Sequence, residues 1–380
     1  MDANQRHQTL QTFTIQFCRE NQVDFEKGWN CLDTYGIQPL KNILQSILRN
    51  EFPDECSHSS NSSHSLLYSI SFYLCNNGSV DYSEKIYEKI KENCELFSTE
   101  LGECSTLEQF SQQWKIYNMF VHWMYKTFTF VDKGFVHTKQ KETITSVSLK
   151  YFVENIFEIN KLSLTNQMLE NIQLERIHQL SDSTILRQCI TIYKLLGIVQ
   201  TKKNILSVKT ITCVPNELSI YENELETHFL KSSFDYFTSL SEEFKTKYDV
   251  KTYLQKVNEC MENEFNLIRK LLHETTKSKM QKIMSECFVV NQREYLIESI
   301  IEIFNEFYFG DREIISDEKH EILSSMFNVF KYTFDSNPND ENFNLMKHMA
   351  YSFQLYVEKN GTEIVNSSFE SQNEQGEESK

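Results

Sequence analysis

Two dipeptides, His273-Glu274 and His320-Glu321, begin as the HExxH helix of zinc proteases begins. In that helix two histidines one turn apart bind the metal and the glutamate acts as general base. Here the second histidine is replaced, by Lys277 and by Ser324, so neither dipeptide can hold a metal that way. Cys56, His58 and His64 are metal-ligating types, but their spacing is irregular and they sit in a serine-rich stretch, PDECSHSSNSSHS (Pro53–Ser65), that reads as a linker. There is no GxSxG, and the 9 scattered glycines form no phosphate-cradling loop. Paired acids such as Glu242-Glu243 and Asp340-Glu341 suit solvated helix or turn positions. They do not form the aspartate-rich motifs of an all-α prenyl-transfer enzyme. No constellation meets the geometry that acid–base, nucleophilic or metal chemistry needs, so a non-catalytic chain without cofactor or metal is expected.

Recognition chemistry is better represented. On a helix over residues 64–75, Leu67, Ile70 and Leu74 share one face, while Tyr68 and Phe72 share another, flanked by Ser65 and Ser69. A helix apolar on two faces is either fully buried or packs one face inward and offers the second to a partner. The residues alone leave both arrangements open.

The elements that would position these side chains are helices. Gly 9 and Pro 4 in 380 residues are few, and these are the residues that interrupt helices and populate turns. Amphipathic stretches run over 82–101, 107–131, 148–157, 165–180, 184–196, 216–239, 250–272, 294–309, 319–334 and 342–358. In the helix after Val250 the apolar positions 254, 257, 261, 265, 268 and 272 have the period of a single buried face. The tail from Asn366, NSSFESQNEQGEESK, is polar, acidic and poor in core-forming residues, so disorder is expected there. No repeat of 34 or 40 residues emerges, which argues against tetratricopeptide, HEAT and armadillo arrays.

A net charge of −16, from 38 Lys+Arg against 54 Asp+Glu, and no clustered basic run argue against nucleic-acid binding. The 10 cysteines include no CxxC pair and mostly sit in apolar helical patterns, as buried thiols of a reducing compartment do. The N-terminus has no signal-peptide core and no apolar run is long enough to cross a bilayer. A cytoplasmic or nuclear protein, with its sequons at Asn61, Asn77, Asn360 and Asn366 unmodified, is therefore expected.

The stretch from Tyr221 to Met284 reads as two long, glycine-free helices joined by the polar turn His273-Glu274-Thr275-Thr276. Its residues resemble the second repeat of the cullin family, with the pattern Tyr-x-x-x-x-Glu-x-x-Phe (Tyr221, Glu226, Phe229) and the turn Leu-His-Glu-Ser/Thr-Thr (Leu272–Thr276). Further segments resemble the family in the same order. These are Phe25–Ile43 with Trp29 and Leu32, Ser65–Cys75 (SLLYSISFYLC), and Phe110–Val136, where Trp114 and Tyr117 fit and Phe130-Val131-Asp132-Lys133 stands where cullins carry Tyr-Leu-Asp-Arg. Leu149–Ile156, Ser163–Arg176, Leu186–Gly197 and Phe353–Val365 follow.

The resemblance implies an all-α, elongated, curved stack of five-helix repeats. One repeat would span 1–145, a second 146–288 and a partial third 289–365, followed by the acidic tail 366–380. It implies a scaffold of the ubiquitin-ligase system that grips a BTB/POZ-fold adaptor, SKP-type or BTB, with the second and fifth helices of the first repeat. Ser65, Tyr68, Ser69, Phe72, Phe130 and Lys133 occupy the matching positions. Phe72 and Phe130 each replace a tyrosine, and Lys133 replaces an arginine, losing its planar bidentate fork. After Val365 nothing resembles the cullin-homology region that holds the RING subunit. The expectation is a decoy, a truncated paralogue or a fragment that recruits no RING subunit. A helical tether or trafficking-type solenoid without a ubiquitin role is the alternative.

Overall fold

The computed structural model describes residues 3–19, 24–51, 61–76, 80–178, 183–201, 218–299 and 324–331, with single positions at 351, 354, 358 and 362. Among the described residues all regular structure is helical and no strand occurs. The chain divides into two compact units, Met1–Leu225 and Glu226–Lys380. The acidic tail, the partners Cys56 and His58, and His320 lie outside the described residues, as does most of the stretch after 300. No described helix is long and apolar enough to cross a membrane.

The first unit contains α1 (Ala3–Phe17), α2 (Phe25–Leu32), α3 (Gln38–Leu48), α4 (Asn61–Cys75), α5 (Ser83–Leu101) and α6 (Leu107–Thr127). The short α7 (Thr129–Val131) and α8 (His137–Lys139) follow, then α9 (Ile144–Phe152), α10 (Glu158–His178) and α11 (Thr184–Thr201). Their starts are set by polar side chains that satisfy first-turn amides. Asp24 accepts from Glu26 and Lys27, Thr106 from Gln109, and Thr143 from Ser146. Several helices are joined end to end by one turn of wider pitch, bonded i to i−5. Gln38 N–H donates to the Asp33 carbonyl, His137 to Asp132, and Glu158 to Val153. Each such turn shifts the buried face of the helix that follows it.

The core of this unit is aromatic. Phe97 lies 4.5 Å from Phe120, Trp114 and Tyr117 lie 5.0 and 5.4 Å from Phe152, and Phe157 meets Tyr193 edge-on at 5.0 Å. The Tyr117 hydroxyl donates to the Ser148 carbonyl at 2.7 Å, so a fully buried phenol keeps its partner. Trp114 and Tyr117, the two residues that fit the family pattern on α6, are therefore core residues.

The second unit contains α12 (Thr227–Lys247), α13 (Val250–Leu271) and α14 (Thr275–Ser285). Three helices thus occupy the stretch read from sequence as two. The extra break falls at Tyr248, whose backbone is extended, and Asp249 then caps α13 by accepting from the Thr252 amide at 3.1 Å. The apolar positions of α13 behave as their spacing predicts: Leu254, Val257, Met261, Phe265, Ile268 and Leu272 are all buried. The Tyr253 hydroxyl donates to the Phe288 carbonyl at 2.7 Å, tying α13 to the wide turn Glu286–Val290 that ends α14.

Both family patterns of this stretch meet at one point. Glu226 is 2 % exposed and accepts from the Thr276 hydroxyl at 2.6 Å, while Lys279 pairs with its other oxygen. His273 receives the Thr275 amide on Nδ1 at 3.3 Å. The Leu-His-Glu-Thr-Thr sequence is thus a helix start, with Thr275 and Thr276 inside the first turn of α14 rather than in the loop.

Candidate protein-binding surface

Helix α4 begins earlier than the sequence suggests. Asn61–Ser65, read as the end of a serine-rich linker, is helical. The reason is tertiary: Ser63 Oγ lies 3.0 Å from His7 Nδ1 on α1, and His64 Nε2 lies 3.2 Å from Thr127 Oγ1 at the end of α6. These bonds anchor a turn whose serines have low intrinsic helix propensity. His64, once a candidate ligand with Cys56 and His58, is occupied by this contact and packs edge-on against Trp123 at 6.2 Å. Burial, and then the Lys126 charge, hold its pKa below the ordinary value. No group of three or more potential metal ligands is found among the described residues.

One face of α4 is core. Leu67, Ile70 and Leu74 are buried, as their spacing requires, and Ser71 is buried with them. Two glycines let neighbouring helices approach this face. A Cβ on Gly28 would come within 2.7 Å of Phe17 and 3.0 Å of Leu74, and a Cβ on Gly36 within 2.8 Å of Trp123 and 3.1 Å of Leu67. Helices α1, α2, α6 and α7 pack against α4 and leave a strip of it exposed.

That strip carries the candidate residues. Ser65 and Ser69 are exposed, and the Ser69 hydroxyl donates to the Ser65 carbonyl at 2.9 Å. Tyr68 is half-buried and stacks with Phe72 at 6.4 Å and 25°. Phe72 is 36 % exposed, and its ring meets Phe130 of α7 edge-to-face at 4.8 Å and 70°. The structure therefore joins Tyr68, Phe72 and Phe130 into one aromatic cluster at the surface. Of the two arrangements open to a doubly apolar helix, α4 takes the one that presents its second face.

Lys133 is exposed and lies in the wide turn Asp132–Val136, three residues after Phe130. Acidic residues are sparse in the segments that carry the strip. α4 has no Asp, Glu, Lys or Arg, and between Lys115 and Lys141 the chain carries five lysines and a single acid, Asp132, which is buried. Three other aromatics of this region point the other way: Phe120 and Phe128 are fully buried, and Trp123 is half-buried over Gly36.

Sequence reasoning did not anticipate α1, whose Leu10, Thr14 and Phe17 bury against α4. The signal was present as Leu10, Phe13, Thr14 and Phe17, a short i, i+3, i+4, i+7 stripe.

Among its described residues the chain is all helical, with an exposed aromatic cluster where α4 meets α7. The chain belongs to the cullin family: the model of the cullin alpha solenoid domain matches residues 37–379. It is 22 % identical to Cullin-1 of Oryza sativa subsp. japonica over 352 residues, covering 90 % of this chain and 42 % of that protein. It is 23 % identical to Cullin-2 of Arabidopsis thaliana over 315 residues, covering 80 % and 38 %. The chain thus spans about two-fifths of the length of these relatives.

Proposed function

We propose that this chain is a non-catalytic scaffold of the ubiquitin-ligase system, acting in the cytoplasm or nucleus, that binds a BTB/POZ-fold adaptor, SKP-type or BTB. The adaptor docks on α4 and on the α6–α7 end, and through it the scaffold serves ubiquitin-dependent protein degradation. The observation that carries this reading is the edge-to-face contact of Phe72 with Phe130, which builds one exposed anchor from two helices. Clustered aromatics of this kind are the residues in which binding energy concentrates. Ser65 and Ser69 give the strip a polar border, and Lys133 adds a positive edge that suits an acidic adaptor surface.

A pull-down from the protein's own cells tests this. Wild type should recover a SKP-type or BTB adaptor, and a Tyr68→Ala/Phe72→Ala double variant should not. Equal recovery by both overturns the reading.

A further inference from the structure

The turn that follows Phe130, one of the three rings of the aromatic cluster, is held by a buried acid. Asp132 follows Phe130 by two residues and precedes Lys133, yet it is 6 % exposed. Its Oδ1 accepts from the backbone amide of Ile144, the first residue of α9, at 2.9 Å, and its Oδ2 has no hydrogen-bond partner among the described residues. Thr143 Oγ1 accepts from the Ser146 amide of that helix at 3.2 Å. Two of the orphan donors at the start of α9 are therefore satisfied, one locally and one from twelve residues upstream.

The segment between is closed on itself. The Lys141 amide donates to the Val136 carbonyl at 3.0 Å, Gln140 is left-handed at φ 51°, and the Lys141 ammonium sits 5.2 Å from the Phe135 ring and 5.6 Å from the Tyr87 ring. The Tyr87 hydroxyl donates to the Glu142 carbonyl at 2.9 Å. Residues 132–144 thus form a closed loop with Asp132 at one end and Ile144 at the other. Asp132, whose side chain bonds across that closure, lies between Phe130 and Lys133 in the sequence.

We infer that Asp132 is a positioning residue of the binding surface: its hydrogen bond to Ile144 fixes the turn that follows Phe130 and carries Lys133. Helix α9 packs on α5 and α6, so it is a stationary reference for that turn. Without the bond, the wide turn Asp132–Val136 can rewind to ordinary helical pitch. That would rotate Lys133 relative to Phe130 and part Phe130 from Phe72. The inference rests on the adaptor reading for its functional half, while its structural half concerns the free protein.

The test uses the full chain with Asp132→Ala, which loses the acceptor, Asp132→Asn, which keeps one, and Phe72→Ala. Amide hydrogen exchange across residues 130–136 and affinity for a purified SKP-type adaptor, or else a purified BTB-domain adaptor, are measured on protein shown to be folded. Asp132→Ala should speed exchange in 130–136 and weaken binding roughly ten-fold, about 1.4 kcal/mol, with Asp132→Asn close to wild type in both. Wild-type exchange and affinity in Asp132→Ala, with Phe72→Ala impaired, overturns the inference and leaves the adaptor reading standing. Wild-type affinity in Phe72→Ala overturns the adaptor reading, and Asp132 then retains its role only if exchange in 130–136 is still raised. A purely structural role predicts that Asp132→Ala lowers stability while the folded fraction binds as wild type, which also overturns the inference.

Discussion

Glu226 and Thr276 lie fifty residues apart in sequence and 2.6 Å apart in space, the hydroxyl donating to a carboxylate that is almost completely buried. This contact explains why a glutamate at the end of a wide turn and a pair of threonines after a polar turn occur together. The carboxylate lies at the first turn of α14, where helix geometry favours negative charge. Lys279 then neutralises the oxygen that Thr276 leaves free.

Thr276→Val should therefore be costly although it barely changes volume. It leaves a buried carboxylate oxygen short of a donor, which costs about 1–3 kcal/mol. Chemical denaturation should show a lower midpoint, and Thr276→Ser should recover most of the loss. A midpoint equal to wild type for Thr276→Val would show that Glu226 finds another donor.

The two faces of α4 should respond differently to truncation. Ile70→Ala removes a fully buried side chain and should lower stability by about 2–5 kcal/mol. Phe72→Ala, at a half-open position, should unfold close to wild type while adaptor recovery falls, by about 2 kcal/mol or more of binding. Thermal unfolding and titration of the two variants side by side separate core from surface. A large loss of stability in Phe72→Ala would place it in the core instead.

Gly36→Ala should destabilise despite improving helix propensity by about 1 kcal/mol. The added methyl would meet the Trp123 ring at 2.8 Å and Leu67 at 3.1 Å, and overpacking of this kind costs about 1–3 kcal/mol. A lower unfolding midpoint together with a changed Trp123 fluorescence is the expected result. A raised midpoint would mean that Trp123 moves aside freely.

Asp132 gives the protein a pH signature. Burial pushes its carboxyl up from an ordinary 3.8 to about 6, with the Ile144 amide opposing the shift. Below pH 3.8 both folded and unfolded chains hold the proton. Between 3.8 and about 6 only the folded chain still does, so stability falls as pH rises through that window. The loss is complete above it and amounts to roughly 3 kcal/mol. Urea titrations at pH 4.5 and 7 should show a larger drop for wild type than for Asp132→Asn, and parallel curves would contradict the burial argument.

Much of this was legible in the residues. The period of α13 could be read directly because every position on one side is apolar, and the inward set Leu67, Ile70, Leu74 followed from the same arithmetic. What was not legible depends on tertiary contacts. Asn61–Ser65 looks like a linker until His7 and Thr127 are present to hold Ser63 and His64. The surface cluster was half legible: Tyr68 and Phe72 share a helical face by spacing, but their union with Phe130 depends on the end of α6 arriving beside α4. The burial of Asp132 was not legible, because its partner is an amide and amides leave no trace in a sequence pattern.

The notch at Gly28 has a consequence for how the chain can be shortened. The Phe17 ring fills the hollow that a side chain would otherwise occupy, covering Leu74 at the same time. A chain started at Phe25 would lose this plug and bare an apolar seam along the inner edge of α4. Such a chain would stick to surfaces unrelated to its partner. Trimming the N-terminus would then show itself as a loss of selectivity, before any loss of grip.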